Sequence, residues 1–116
     1  MNLFQNDSSA TLYAPGQFIF RIGNASDGQM YAVAEGEIEI QIGGKAVELV
    51  GPGGVFGEMG LIDNQSRTAD AVAKITAKVV SINERRFNFL VQNNPFFALH
   101  VMRTMTDRIR RLSRKD

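Results

Sequence analysis

Residues 36–50 read GEIEIQIGGKAVELV, and the spacing within that stretch decides the fold. Ile38, Ile40 and Ile42 alternate with Glu39 and Gln41, a period of two that sends successive side chains to opposite faces of an extended strand. Gly43-Gly44 joins this run to Ala46-Val47-Glu48-Leu49-Val50 as a two-residue hairpin, because the positive φ of such turns costs glycine little. Working outward, Phe18-Ile19-Phe20-Arg21 and Met30-Tyr31-Ala32-Val33 read as further half-buried strands, with residues 69–73 and 78–82 as two more. All eleven glycines fall between Gly16 and Gly60. Many short strands with glycine turns predict a mainly β chain, a double-stranded β-helix jelly-roll barrel over about residues 12–83.

From Asn83 the period changes. Phe87, Leu90 and Val91 recur at spacings of three and four, which predicts a helix from Glu84 ending near Asn93-Asn94-Pro95. A long C-terminal helix follows, reaching about residue 114. Its apolar positions Ala98, Met102, Met105, Ile109 and Leu112 form a heptad seam that must be buried somewhere. Two solutions fit: packing across the barrel of its own subunit, or pairing with the same helix of a second copy. The reading leans toward a homodimer.

Composition narrows the classes. A chain of 116 residues, 44% hydrophobic, suits a single domain with a modest core. It has no Cys and one His, His100, so disulfides and the usual zinc clusters cannot be built, and His100 reads as a partly exposed helix residue. The N-terminus lacks a basic region followed by an apolar one, and no apolar run is long enough for a membrane helix, so a cytoplasmic protein is expected. The initial methionine suggests a free-standing protein or an N-terminal piece. Net charge is +1, divided as +4 over residues 103–116 and −3 over the rest. Arginines on a terminal helix are ordinarily solvating and complement the helix dipole, so the tail alone does not predict nucleic-acid binding.

Chemistry concentrates in residues 56–69, FGEMGLIDNQSRTA. Gly57 and Gly60 lack a Cβ, so backbone N–H groups there can come close to an anion, and a short helix opening at this turn would aim its unpaired donors the same way. Arg67 supplies charge and two parallel donors suited to phosphate oxygens, with the Thr68 hydroxyl beside it. Glu58 only accepts when ionised and suits a sugar hydroxyl. An anion and a hydroxyl held close together describe a nucleoside cyclic phosphate. Phe56, Gly57, Glu58, Met59, Gly60, Arg67, Thr68 and Ala69 are therefore the candidate ligand-binding residues, at a mouth expected to be exposed and apart from the core.

These residues resemble the phosphate-binding cassette of the cyclic-nucleotide-binding domains found in catabolite activator protein, the cyclic-AMP-dependent kinase regulatory subunit and nucleotide-gated channels. PGQFIFRIGNASDGQMYAVAEGEIEI at residues 15–40 and LVGPGGVFGE at residues 49–58 follow the same family's strand and turn pattern. The resemblance spans about residues 12–113. It implies that Gly57 contacts the phosphate through backbone, Glu58 the ribose 2′-hydroxyl, and Arg67 the cyclic phosphate. It implies a regulatory sensor of cyclic AMP or cyclic GMP, needing no other cofactor, whose terminal helix moves to cover the base and signals to a protein output partner. Apolar residues near Val47, Leu49 and Ala71 are expected to line the base, with Ala71 small where many relatives carry a larger wall residue and Gly54 extending the usual GPG turn. Transcription-factor relatives continue into a helix-turn-helix; this sequence stops at Arg114-Lys115-Asp116, so no direct reading of DNA is expected of it. Two other classes compete. A cupin-type enzyme needs several converging His or carboxylate ligands that this chain lacks. A degenerate jelly-roll interaction protein would keep the fold without binding nucleotide, against which Glu58 and Arg67 argue.

Overall fold

The computed structural model describes residues 2–63 and 65–113, with side chains through Arg111. Arg114, Lys115 and Asp116 of the basic tail, and the side chain of Leu112 in the seam, lie outside the described residues. The chain divides into two compact units, Met1–Asn83 and Glu84–Asp116.

The first unit is built from two antiparallel four-stranded sheets. Its strands are β1 (Thr11–Tyr13), β2 (Phe18–Phe20), β3 (Gln29–Glu35), β4 (Ile38–Ile42), β5 (Lys45–Val50), β6 (Val55–Phe56), β7 (Asp70–Ala73) and β8 (Ala77–Asn83), with a short helix α1 (Glu58–Ile62) after β6. One sheet has the order β1-β8-β3-β6 and the other β2-β7-β4-β5. This is the predicted jelly-roll class, with one difference: among the described residues the sheets share no strand, so no continuous ladder closes the barrel. Tyr31, Val33, Phe56 and Val79 of one sheet and Ile38, Val50, Ala71 and Ala73 of the other form a common core.

The Gly43-Gly44 hairpin is present, with φ of 61° and 77°, and it sets β4 against β5 so that Ile38 faces Val50 and Glu39 faces Leu49. A register shift between Ile40 and Gln41 places Val47 in a bulge. β3 departs from its expected half-burial. Residues 30–34 are buried on both faces, since Met30, Tyr31, Ala32, Val33 and Ala34 form an unbroken apolar run and not an alternating one.

The second unit holds α2 (Glu84–Asn93) and α3 (Phe96–Ser113), joined across Pro95, which has no N–H to continue a helix. Phe87 and Phe97 meet as tilted rings 5.8 Å apart. The buried positions of α3 are Phe97 and Val101, whereas Met102 is 54% and Ile109 61% exposed. Ala98 and Met105 are half-buried. Among the described residues no helix is long and apolar enough to cross a membrane.

Candidate functional site

The cassette begins where β6 runs into α1. Phe56 is core, stacked on Tyr31 with centroids 5.4 Å apart. Gly57 follows with φ of 70°, a conformation that glycine tolerates and other residues resist, and this reversal caps α1 without a side-chain bond. Glu58, the first residue of α1, is buried with 6% exposure. Met59 is half-exposed, Thr68 exposed and Ala69 half-buried.

Arg67 lies at the centre, only 6% exposed. Its Nη1 donates to the Gly57 carbonyl at 2.8 Å, and its Nη2 donates to the Gln29 carbonyl at 2.9 Å and to Asp27 Oδ1 at 3.3 Å. The guanidinium carbon sits 4.3 Å from the centroid of Phe20 and 5.6 Å from that of Tyr31, where the negative ring faces attract a cation. A buried charge is costly unless it is paired and hydrogen-bonded, and this arrangement meets that condition with two carbonyls, one carboxylate and two rings. Asp27 also accepts a bond from the Tyr31 hydroxyl at 3.2 Å. Burial, together with the Asp27 carboxylate and that bond, pushes the Tyr31 phenol up to about 12, against a smaller opposing pull from Arg67.

The expectation of an exposed mouth is corrected by this geometry. Arg67 and Glu58 are not at an exposed mouth; both are buried. The missing Cβ of Gly60 makes room for Arg67 itself, because a Cβ there would stand 2.4 Å from Nη1 and 2.7 Å from Cζ. Of the residues expected near the base, Ala71 and Leu49 lie on opposite faces of their sheet. Ala71 pairs with Ile40 on the core face of its sheet, while Leu49 pairs with Glu39 on the opposite face and is 48% exposed.

The structure thus brings Gly57, Gly60 and Arg67 into contact and places Glu58 at the start of the same helix. The residues around Arg67 that sequence reading missed are Phe20, Asp27, Gln29 and Tyr31. They lie on β2, β3 and the turn between them, far from Arg67 in sequence, and only the antiparallel pairing brings them close. Backbone bonds tie that turn to Arg67 as well: the Gly23 N–H donates to the Arg67 carbonyl at 2.8 Å, and the Arg67 N–H donates to the Asn24 carbonyl at 2.9 Å. Ser26 Oγ donates to the Gly60 carbonyl at 2.9 Å, fixing the same turn to α1. Among the described residues no cluster of His, Cys, Asp and Glu could hold a metal ion.

The family model for the cyclic nucleotide-binding domain matches residues 10–94, which includes both the barrel strands and the cassette. The cyclic AMP receptor protein of Thermus thermophilus is 31% identical over 104 residues, an alignment covering 85% of this chain and 48% of the relative. A cyclic nucleotide-gated potassium channel of Mesorhizobium japonicum is 36% identical over 93 residues, covering 80% of this chain and 25% of the channel. The solved structure of Thermus thermophilus catabolite activator protein superposes with a TM-score of 0.74 at 28% identity, covering 90% of this chain and 51% of that one. The chain spans about half or less of the length of these relatives. On the match of barrel and cassette together, the chain belongs to the cyclic nucleotide-binding domain family.

Proposed function

We propose that the chain is a single regulatory domain that senses cyclic AMP or cyclic GMP at the cassette of residues 56–69, with no catalytic step of its own, in a cytoplasmic setting. The observation that carries the reading is the buried Arg67 guanidinium, held directly beneath the Gly57 and Gly60 turn and beside the helix that begins with Glu58. In this mechanism a cyclic phosphate becomes a counter-ion for Arg67 in competition with Asp27, and the backbone at Gly57 approaches the same phosphate. Glu58 accepts from the ribose 2′-hydroxyl. Met59, Thr68 and Ala69 border the ligand. Only a difference in ligand affinity between two conformations converts occupancy into a signal, and exchange of the Arg67 partners is such a difference.

The terminal helix α3 carries that signal to a second copy of the chain or to a protein output partner. Met102 and Ile109 support the pairing, since this chain leaves both exposed on the heptad seam. Sedimentation of the purified chain tests it: a dimer that Ile109→Glu converts to monomer supports the pairing, and a monomer at high concentration rejects it.

One observation favours a second reading, an interaction domain that keeps the fold without ligand: Arg67 already has protein partners for its charge. Calorimetric titration with each nucleotide separates the two. A ligand of about 22 non-hydrogen atoms at ~0.3 kcal/mol each corresponds to a Kd on the order of 10 μM. Absence of heat and of any melting shift at millimolar nucleotide rejects the sensor. The orientation is tested with a 2′-deoxy cyclic nucleotide: Glu58→Ala weakens binding of the ribose ligand by about 1.5–3 kcal/mol and leaves the deoxy ligand nearly unaffected. Losses that simply add exclude Glu58 as the ribose acceptor.

A further inference from the structure

The geometry points to Asp70 as a positioning residue for Arg67, acting through the turn at residues 21–24 and without touching ligand. Asp70 opens β7, three positions beyond Arg67, and is 8% exposed. Its Oδ1 accepts from the Ile22 N–H at 2.7 Å, and the Arg21 Nε lies 4.0 Å from the same oxygen. The turn that receives this bond is closed internally, because the Arg21 N–H donates to Asn24 Oδ1 at 2.9 Å and the Asn24 N–H donates to the Arg21 carbonyl at 3.0 Å. The closed turn then grips both main-chain polar groups of Arg67: Gly23 N–H to the Arg67 carbonyl, and Arg67 N–H to the Asn24 carbonyl.

One short segment therefore carries the arginine at one end and, at the other, the carboxylate that fixes the turn against which the arginine is aligned. The Arg67 side chain has little tolerance for a shift of its backbone. Its guanidinium must reach the Gly57 and Gln29 carbonyls together while passing where a Cβ on Gly60 would stand. Because hydrogen bonds weaken steeply as alignment is lost, a displacement of a few tenths of an ångström at the turn is transmitted to all of these contacts. Asp70 thus sets where the positive charge of the cassette stands. For ligand affinity, this inference rests on the proposed reading of the cassette.

The test uses wild-type chain, Asp70→Ala, Asp70→Asn and Asn24→Ala. Amide hydrogen exchange is followed without nucleotide, and each protein is then titrated with cyclic AMP and cyclic GMP. Asp70→Ala is expected to speed exchange at the Gly23 and Arg67 amides while leaving the Val33 amide protected, and to weaken nucleotide binding about tenfold, the scale of one lost buried bond. Asp70→Asn keeps an oxygen at the same position and is expected to restore both properties. Asn24→Ala, at an exposed residue, is expected to loosen the same two amides through the turn it closes, and Asp70→Asn against wild type carries the test of Asp70 if Asp70→Ala does not fold. Unchanged protection at Gly23 and Arg67 in Asp70→Ala and Asn24→Ala, or equal loss of binding in Asp70→Asn and Asp70→Ala, overturns the inference. A wild-type chain that binds neither nucleotide rejects the sensor reading, and the exchange data then decide the role of Asp70 alone.

Discussion

Two glycine turns of the barrel, Gly43-Gly44 and the pair Gly57 and Gly60, look alike as sequence, yet what stands beside them differs. At Gly43 and Gly44 φ is 61° and 77°, and an added Cβ would meet nothing within 4 Å. Glycine is needed there for backbone conformation, and the turn has no side chain to accommodate. Gly60 lies inside α1, outside the positive-φ glycines, and an added Cβ would stand 2.8 Å or less from Nη1, Cζ and Nη2 of Arg67. Glycine is needed there for room. Gly57 combines both reasons, with φ of 70° and an added Cβ 3.0 Å from Nη1. One residue type thus encodes a chain reversal in the hairpin and a berth for a buried cation in the cassette, and the two roles separate under mutation.

The largest effect is expected from removing the cation. Arg67→Ala takes away the charge that compensates a cyclic phosphate, and nucleotide affinity is expected to fall by about 2–5 kcal/mol, read by calorimetry. It also strips the Gly57 and Gln29 carbonyls of their donor and leaves Asp27 without its partner cation, so the melting temperature should fall too. An unchanged melting temperature would mean that water replaces the guanidinium freely, and that Gly60 is not reserved for Arg67.

Gly60→Ala comes next and addresses the berth directly. The atom it strikes is the far end of a flexible side chain, so the backbone of α1 can stay in place while the guanidinium moves. Alanine is also the better helix former by about 1 kcal/mol, which offsets part of the strain. The expected outcome is a small change in stability with a loss of affinity of about 1–3 kcal/mol, since the charge persists but its donors are displaced. Retained affinity would place the ligand's contact with Arg67 elsewhere on the side chain.

Gly44→Ala is the control from the other turn. Forcing a Cβ into φ of 77° costs stability by about 1 kcal/mol, measured by chemical denaturation, with no change in nucleotide affinity. A hairpin mutation that altered affinity would erase the distinction between the two turns.

This contrast also explains how far the sequence was legible. Period-two alternation around Ile38, Ile40 and Ile42, the Gly43-Gly44 hairpin and the change of period at Asn83 are local signals, and they appear as β4, β5 and α2 where expected. The cassette's glycines and arginine were legible as a group, but the reason for Gly60 was not. That reason depends on where a side chain seven residues later points, and on Gln29 and Asp27 from a different strand and turn. Likewise the pairing through β4 that puts Ala71 and Leu49 on opposite faces of their sheet cannot be read from the sequence around either residue. The uninterrupted apolar run in β3 carried its own warning of two-sided burial. In α3 a seam of similar periodicity does not say which stripe is covered within the chain, and Phe97 and Val101 proved to be the buried ones.

The smallest effect at neutral pH separates the turns by titration. The hairpin has no ionisable group of this kind in its berth, whereas the cassette's cation shares Asp27 with the Tyr31 hydroxyl. In the unfolded chain the Tyr31 phenol ionises near its ordinary value of 10.0, and in the folded chain burial and Asp27 hold its proton up to about 12. The folded state therefore binds more protons than the unfolded state between those values, so stability from this group is complete below about pH 10 and is lost as pH rises toward 12. Denaturation measured at pH 9 and pH 11 on wild type and Tyr31→Phe reads it: the wild type should weaken more over that window, while the two proteins keep a constant difference below it. Asp27→Asn removes the negative charge that raises the phenol, although burial, the larger cause, remains. Its pH-dependent loss should therefore shrink without disappearing. A loss that vanished altogether would make Asp27, and not burial, the main hold on that proton, and would recast the cassette as an electrostatic chain from Tyr31 through Asp27 to Arg67.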